Sequence, residues 1–188
     1  MTTHKTGRRA VLALPALGLL AACGGGTPDV QSQPQRSIME VLASDSSFER
    51  FVEAASRSGL QQSLVGAGPF TVFAFTNSGW ADLPVFLRQS LLDPAEMLRL
   101  RSVMGNLVVD GRQTIASLGG QKRDFTTRAG TTLTVDATNA ERVSVESSGG
   151  RAMSAGAATA GLRSARLIRQ DIEASNGVIH VLSGIIVP

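Results

Sequence analysis

The 188-residue chain has no tyrosine, one tryptophan and one cysteine, and aromatic residues make up 4% of it. A single cysteine forms no internal disulfide and excludes zinc sites built from several cysteines. Two histidines, His4 and His180, leave little material for acid–base or metal chemistry. Scarce aromatics leave few platforms on which bases stack. No apolar run reaches the roughly 20 residues that a membrane-crossing helix needs. What the chain does contain is 43% hydrophobic against 18% charged residues, a balance that suits one folded domain rather than disorder. Its net charge of +3 points by itself towards nucleic acid or an acidic membrane, so the position of the charges matters.

Residues 1–22 carry Lys5, Arg8 and Arg9 and no acid, followed by an apolar stretch from Ala10 to Ala22. A basic start, a short apolar run and small residues before a cut describe a secretory signal peptide. Arg8-Arg9 fits a twin-arginine export signal and an ordinary basic leader equally well. Leu20-Ala21-Ala22-Cys23 is similar to the lipobox of bacterial lipoproteins, a resemblance that implies acylation of Cys23 and a cut before it. Gly24 after that cysteine favours the outer membrane where a cell has two. Residues 23–36 then read as a Gly-rich tether and 37–188 as the folded domain. Removing residues 1–22 takes three cations from 18 and leaves 15 against 15 acids, so the basic excess belongs to the leader. Nucleic acid is therefore not an expected partner.

Within the domain, Ser37 is placed to cap a short helix carrying Ile38, Val41 and Leu42, and Ser46 with Glu49 has capping-box spacing. Phe48, Phe51, Val52 and Ala55 recur at helical spacing up to Gly59. Gly66-Ala67-Gly68-Pro69 marks a turn before a strand from Phe70 to Thr76 with both faces apolar. Asp93-Pro94-Ala95-Glu96 starts another helix running to about Met104. Strands are expected at 107–109, 131–135 and 142–145, and a hairpin formed by 166–173 and 178–187 around Asn176-Gly177. Ser147–Ser164, rich in Gly, Ala and Ser, reads as a long loop. Helices first and strands later indicate an α+β fold.

Two blocks carry a second resemblance. Phe70-Thr71-Val72-Phe73-Ala74-Phe75-Thr76-Asn77 is similar to the first block of fasciclin domains, and Asp171 to Leu182, with Asn176-Gly177 and His180, to the second. The resemblance covers Ser37–Pro188 and implies a compact β-wedge or sandwich with several helices packed against it. Asn77, Asn176, Gly177 and His180 are then structural motif residues. Phe75 stands where the family usually has proline, and Asn106 and Leu107 where many members have a tyrosine–histidine pair tied to integrin adhesion. No integrin role transfers onto those residues.

For catalysis the sequence offers His180 alone, amid Val178, Ile179, Val181 and Leu182, with no nucleophile motif or phosphate loop. Asp136, Asn139 and Glu141 match no calcium loop. No enzyme, catalytic residue, metal or cofactor is expected. Phe75, Trp80, Asn106 and Leu107 are the candidate binding-surface residues, and Cys23 the lipidation site. The expected function is a lipid-anchored cell-envelope module in adhesion or matrix interaction. Its membrane contact runs through acyl chains on Cys23, and its ligand is an unidentified protein, glycan or apolar molecule. The alternative is a carrier of a carotenoid or lipid, with Phe75, Leu107 and the Met153 segment lining a cleft.

Overall fold

A computed structural model describes residues 34–148 and 162–188. The leader, Cys23, the tether up to residue 33 and Met153 lie outside those residues. The chain begins with a capped helix, α1 (Ile38–Ala43), in which the Ser37 hydroxyl accepts from the Glu40 amide and the Glu40 carboxylate accepts from the Ser37 amide. Arg36, read as tether, is already tied, since its carbonyl accepts from the Ser175 amide at 2.9 Å. The second start differs from expectation. Asp45, one residue ahead of Ser46, accepts from the Ser47 amide and opens a 3-10 turn, Ser46–Phe48. Hydrogen bonds from Ser47, then from Arg169, hold the Asp45 carboxyl below its usual range.

The next helix, α2 (Glu49–Ser58), buries Phe51, Ala54 and Ala55 and stops at Gly59, whose φ of 78° is the left-handed conformation that glycine adopts freely. A single turn of helix, α3 (Leu60–Leu64), leads to strand β1 (Phe70–Phe75), buried on both faces as expected. Thr76 is not strand. Its hydroxyl caps α4 (Asn77–Ala81) by accepting from the Gly79 amide. Helix α5 (Val85–Leu92) follows, then a 3-10 turn capped by Asp93 and α6 (Met97–Asn106), two residues longer than expected.

The remaining chain is strand: β2 (Val108–Asp110), β3 (Lys122–Thr126), β4 (Thr132–Asp136), β5 (Ser144–Ser148), β6 (Ser164–Ala174) and β7 (Gly177–Leu182). They form one mixed sheet in the order β2-β1-β7-β6-β5-β4-β3. β1 and β7 run parallel, Phe70 opposite Gly177 through Phe75 opposite Leu182, and every other pair is antiparallel. The eleven-residue β6 pairs with β5 at its start and with β7 beyond, with register breaks either side of Arg169. An antiparallel bridge between Val109 and Thr127, and a 2.9 Å bond from the Arg128 amide to the Val108 carbonyl, tie the β2 end to the chain just after β3. The sheet therefore folds back on itself around the core, and the fold is α+β with the helices against it.

The loop expected over Ser147–Ser164 is shorter than supposed, because Ser147 and Ser148 end β5 and Ser164 begins β6. Among the described residues no helix is long and apolar enough to cross a membrane.

Candidate functional site

Three of the four residues expected at a binding surface have no exposed surface. Phe75, Asn106 and Leu107 are fully buried, and Trp80 keeps only 7% of its surface. Phe75 sits on β1, already paired to β7, so its ring lies edge-on to Phe51 at 5.1 Å and stacks on Trp80 at 5.8 Å. These rings complete the core between β1, α2 and α4. Leu107 follows α6, and its carbonyl accepts from the Phe73 amide at 2.9 Å. Neither Phe75 nor Leu107 is therefore free to line a ligand cleft.

Asn106 is a polar hub inside the protein. Its Oδ1 accepts from the Thr131 hydroxyl at 2.5 Å and the Ser147 hydroxyl at 3.2 Å, and its Nδ2 donates to the Ile186 carbonyl at 3.4 Å. Thr131 also shares a hydrogen bond with Thr127. One amide thus joins α6, the β3–β4 turn, β5 and the C-terminal segment, and its burial is offset by partners on three sides.

The motif residues of the two sequence blocks work in the same way. The Asn77 Oδ1 accepts from the Arg50 amide and its Nδ2 donates to the Ser46 carbonyl, which fixes α4 against the start of α2. The Asn176 Oδ1 accepts from the Ile38 amide at 2.9 Å while its Nδ2 donates to the Leu64 carbonyl at 2.6 Å. The hairpin turn therefore holds α1 and α3 together. Gly177 lies so close to Phe70 that a Cβ would overlap the Phe70 carbonyl oxygen.

His180, 1% exposed, has both ring nitrogens engaged: Nδ1 accepts from the Asp171 amide at 3.2 Å and Nε2 donates to the Gln113 carbonyl at 2.8 Å. Burial holds its imidazole below the ordinary histidine value, against the opposing pull of the Gln113 bond and the Asp171 charge. No ring nitrogen is free to take a substrate proton. Among the described residues no group of three or more His, Cys, Asp or Glu is arranged to hold a metal. The Asp136 and Asn139 oxygens instead accept from the nearby Thr138 and Glu141 amides.

Several large apolar side chains face outward among the described residues, and the ones that adjoin lie on α5. Val85 is 59% and Phe86 54% exposed, with Leu92 beside them at 37%. At 100° per residue, Leu87 and Leu91 turn inward while Val85, Gln89 and Leu92 form the opposite stripe, flanked by Phe86. A groove of about 260 Å³ runs beside this stripe, lined by Trp80, Val85, Leu92, Arg50, Arg88 and Gln89. Arg50 is paired with Glu53 at 2.8 Å, whereas Arg88 makes no ion pair among the described residues. Of the four expected surface residues only Trp80 touches this groove. The signal for the rest was present in Val85-Phe86-Leu87-Arg88-Gln89-Ser90-Leu91-Leu92, which has more apolar residues than one buried stripe needs.

Comparison with known proteins follows the same lines. The model of the fasciclin domain matches residues 46–188. The chain is 34% identical over 152 residues to protein sll1483 of Synechocystis sp., covering 81% of this chain and 73% of that one. It is 31% identical over 172 residues to human stabilin-1, covering 91% of this chain but 6% of that much longer protein. In structure it is similar to a FAS1 domain pair from the insect cell adhesion molecule fasciclin I. There the TM-score is 0.65 at 18% identity, over 82% of this chain and 52% of the other.

Proposed function

The chain belongs to the fasciclin domain family, and from that premise we propose that it is a lipid-anchored adhesion-type binding module of a bacterial cell envelope. The family supplies the adhesion class, since this domain recurs in a cell adhesion molecule. The observation that carries the reading is the outward stripe of α5. Val85, Phe86 and Leu92 lie uncovered side by side on one helix, whereas Val65, Leu98 and Ile168, the other exposed large apolar side chains among the described residues, each stand on a different segment. The mechanism is display. Acyl chains on Cys23 hold the protein to the membrane, residues 24–33 extend at most about 35 Å, and the domain presents the stripe and groove to a partner.

Anchor and surface are tested separately. Cys23→Ser is expected to move the protein from the membrane to the soluble fraction, as two or more acyl chains give stable attachment and none gives none. Retention of that variant in the membrane rejects the anchor. Phe86→Asp is expected to change stability by less than about 0.5 kcal/mol, the usual range for an exposed position. The same change is expected to lower retention of cells or envelope material on a protein-coated surface at least about tenfold, as loss of an aromatic anchor does. Full retention by the folded variant rejects α5 as the contact. Mass spectrometry of the natively extracted protein is expected to find acyl mass on Cys23 and no retained pigment. A stoichiometric apolar ligand would restore the carrier reading.

A further inference from the structure

Among the described residues, the one buried titratable side chain that the binding reading does not use is His180. Its ring bridges two pieces of chain, one hydrogen bond to each. On one side, β6 is interrupted between Arg169 and Ile172, and Asp171 within that break has φ of 53°. That conformation is costly for a residue with a Cβ and persists only where its surroundings hold it. The Asp171 amide is held by Nδ1 of His180, and the Asp171 carboxylate in turn accepts from the Ile115 amide at 2.9 Å. On the other side, the segment from Gly111 to Ile115 crosses over β1 and β7. Its near end is pinned by Thr71, whose hydroxyl donates to the Gly111 carbonyl and accepts from the Gln113 amide. Its far end depends on Asp171.

In the neutral ring Nε2 carries the proton, donated to Gln113, and Nδ1 is an acceptor. A second proton on Nδ1 points a donor at the Asp171 amide, itself a donor, and that bond is lost. The Asp171 Oδ1 is 3.9 Å from Nδ1, close enough to swing in and accept the new N–H, but it is the same oxygen that holds Ile115. We propose that His180 is an acid-operated latch: protonation breaks the Asp171 bond, draws the Asp171 carboxylate away from Ile115, and releases Ile115 to Leu118 from the sheet. The Nε2 bond to Gln113 survives in the charged ring, so the near end of the strap stays.

Of the charged groups near the ring among the described residues, Asp171 is the one placed to accept the new Nδ1 proton. β6 supplies Asp171. The strap supplies Arg112, which is bound to Glu173 at 2.8 Å, and β1 supplies only Phe73, with ring centroids 5.4 Å apart. Burial keeps the folded-state value below 6.5, so the unfolded chain takes up the proton first as pH falls. The neutral latch is therefore intact near pH 7 and weakens as pH drops through and below 6.5. Released, the strap uncovers Leu118, which is buried at neutral pH.

Amide hydrogen exchange on the full chain, followed by NMR with the His180 ring signals, tests this. As the ring titrates, protection of the Asp171 and Ile115 amides is expected to fall at least about tenfold after correction for intrinsic rate, while Gln113 and the amides of α2 keep theirs. Asp171→Asn retains an acceptor for Ile115 and tolerates positive φ, so it is expected to match the parent at pH 7.5. Lacking a charge to stabilise the imidazolium, it is expected to release Ile115 at a lower pH. His180→Phe is expected to abolish the pH dependence. If that variant fails to fold, the Asp171→Asn shift decides. Unchanged protection of both amides while the ring titrates overturns the latch. So does loss of their protection together with α2 in one global transition.

Discussion

Gly177→Ala is expected to lose more than about 4 kcal/mol, enough to leave a domain of ordinary 5–15 kcal/mol stability barely folded or unfolded. The added methyl group would overlap the Phe70 carbonyl oxygen and lie 2.8 Å from the Phe70 carbonyl carbon and 2.9 Å from the Ile38 Cδ1. A side chain can turn away from a new neighbour, but the Phe70 carbonyl belongs to the strand that β7 pairs with. Relief therefore means separating β1 from β7, the one parallel pair in the sheet. Thermal unfolding followed by the fluorescence of Trp80 checks this directly, since it is the only tryptophan and its ring stacks on Phe75. Gly59→Ala is the control. Gly59 has a left-handed φ of 78° but nothing within 4 Å of an added Cβ. Its cost is expected to stay near 1 kcal/mol, roughly the penalty of that conformation alone. Equal costs at the two glycines would show that backbone conformation, and not close approach, is what Gly177 serves.

The second large effect is expected at Asn106. Asn106→Leu keeps the volume but leaves the Ser147 hydroxyl and the Ile186 carbonyl without their buried partner, while Thr131 keeps only Thr127. At about 1–3 kcal/mol for each buried polar group left unpaired, the loss is expected to reach about 3–5 kcal/mol. The triple change Asn106→Leu, Thr131→Val, Ser147→Ala removes both ends of these bonds and is expected to be more stable than Asn106→Leu alone. Urea unfolding of the single and combined variants measures this coupling. Strict additivity of the three costs would mean that Asn106 acts only by filling space.

Much of this architecture was legible because its signals are local. Ser37 marks the start of α1, the run from Phe70 to Thr76 marks a doubly buried strand that ends one residue early, and Asn176-Gly177 marks a hairpin. Even there one role moved. The two-residue turn is Ser175-Asn176, and Gly177 already belongs to β7, where close packing demands it. What stayed hidden depends on partners distant in sequence. Lys122-Arg123-Asp124-Phe125-Thr126 has no strand-like pattern of its own and becomes β3 by pairing with β4. Helix α5 lacks a polar face, so its periodicity is weak although it is helical. For β1, alternation cannot tell inside from outside when both faces are buried, so the sequence alone does not show that Phe75 is core. Asn106 is polar by type, and its burial depends on Thr131 and Ser147, 25 and 41 residues away.

The parallel pairing of β1 with β7 also sets when the protein can fold during its synthesis. Phe70 leaves the ribosome more than a hundred residues ahead of Gly177, its partner in the parallel pair. Until then β1 has only β2 beside it, in three antiparallel pairs, and its other edge stays open. Bringing strands together across so long a loop is slow, and the contacts that reward it form only after the loop has closed. The β1–β7 pairing, and with it the joining of the N-terminal helices to the rest of the sheet, is therefore completed only after synthesis has reached β7.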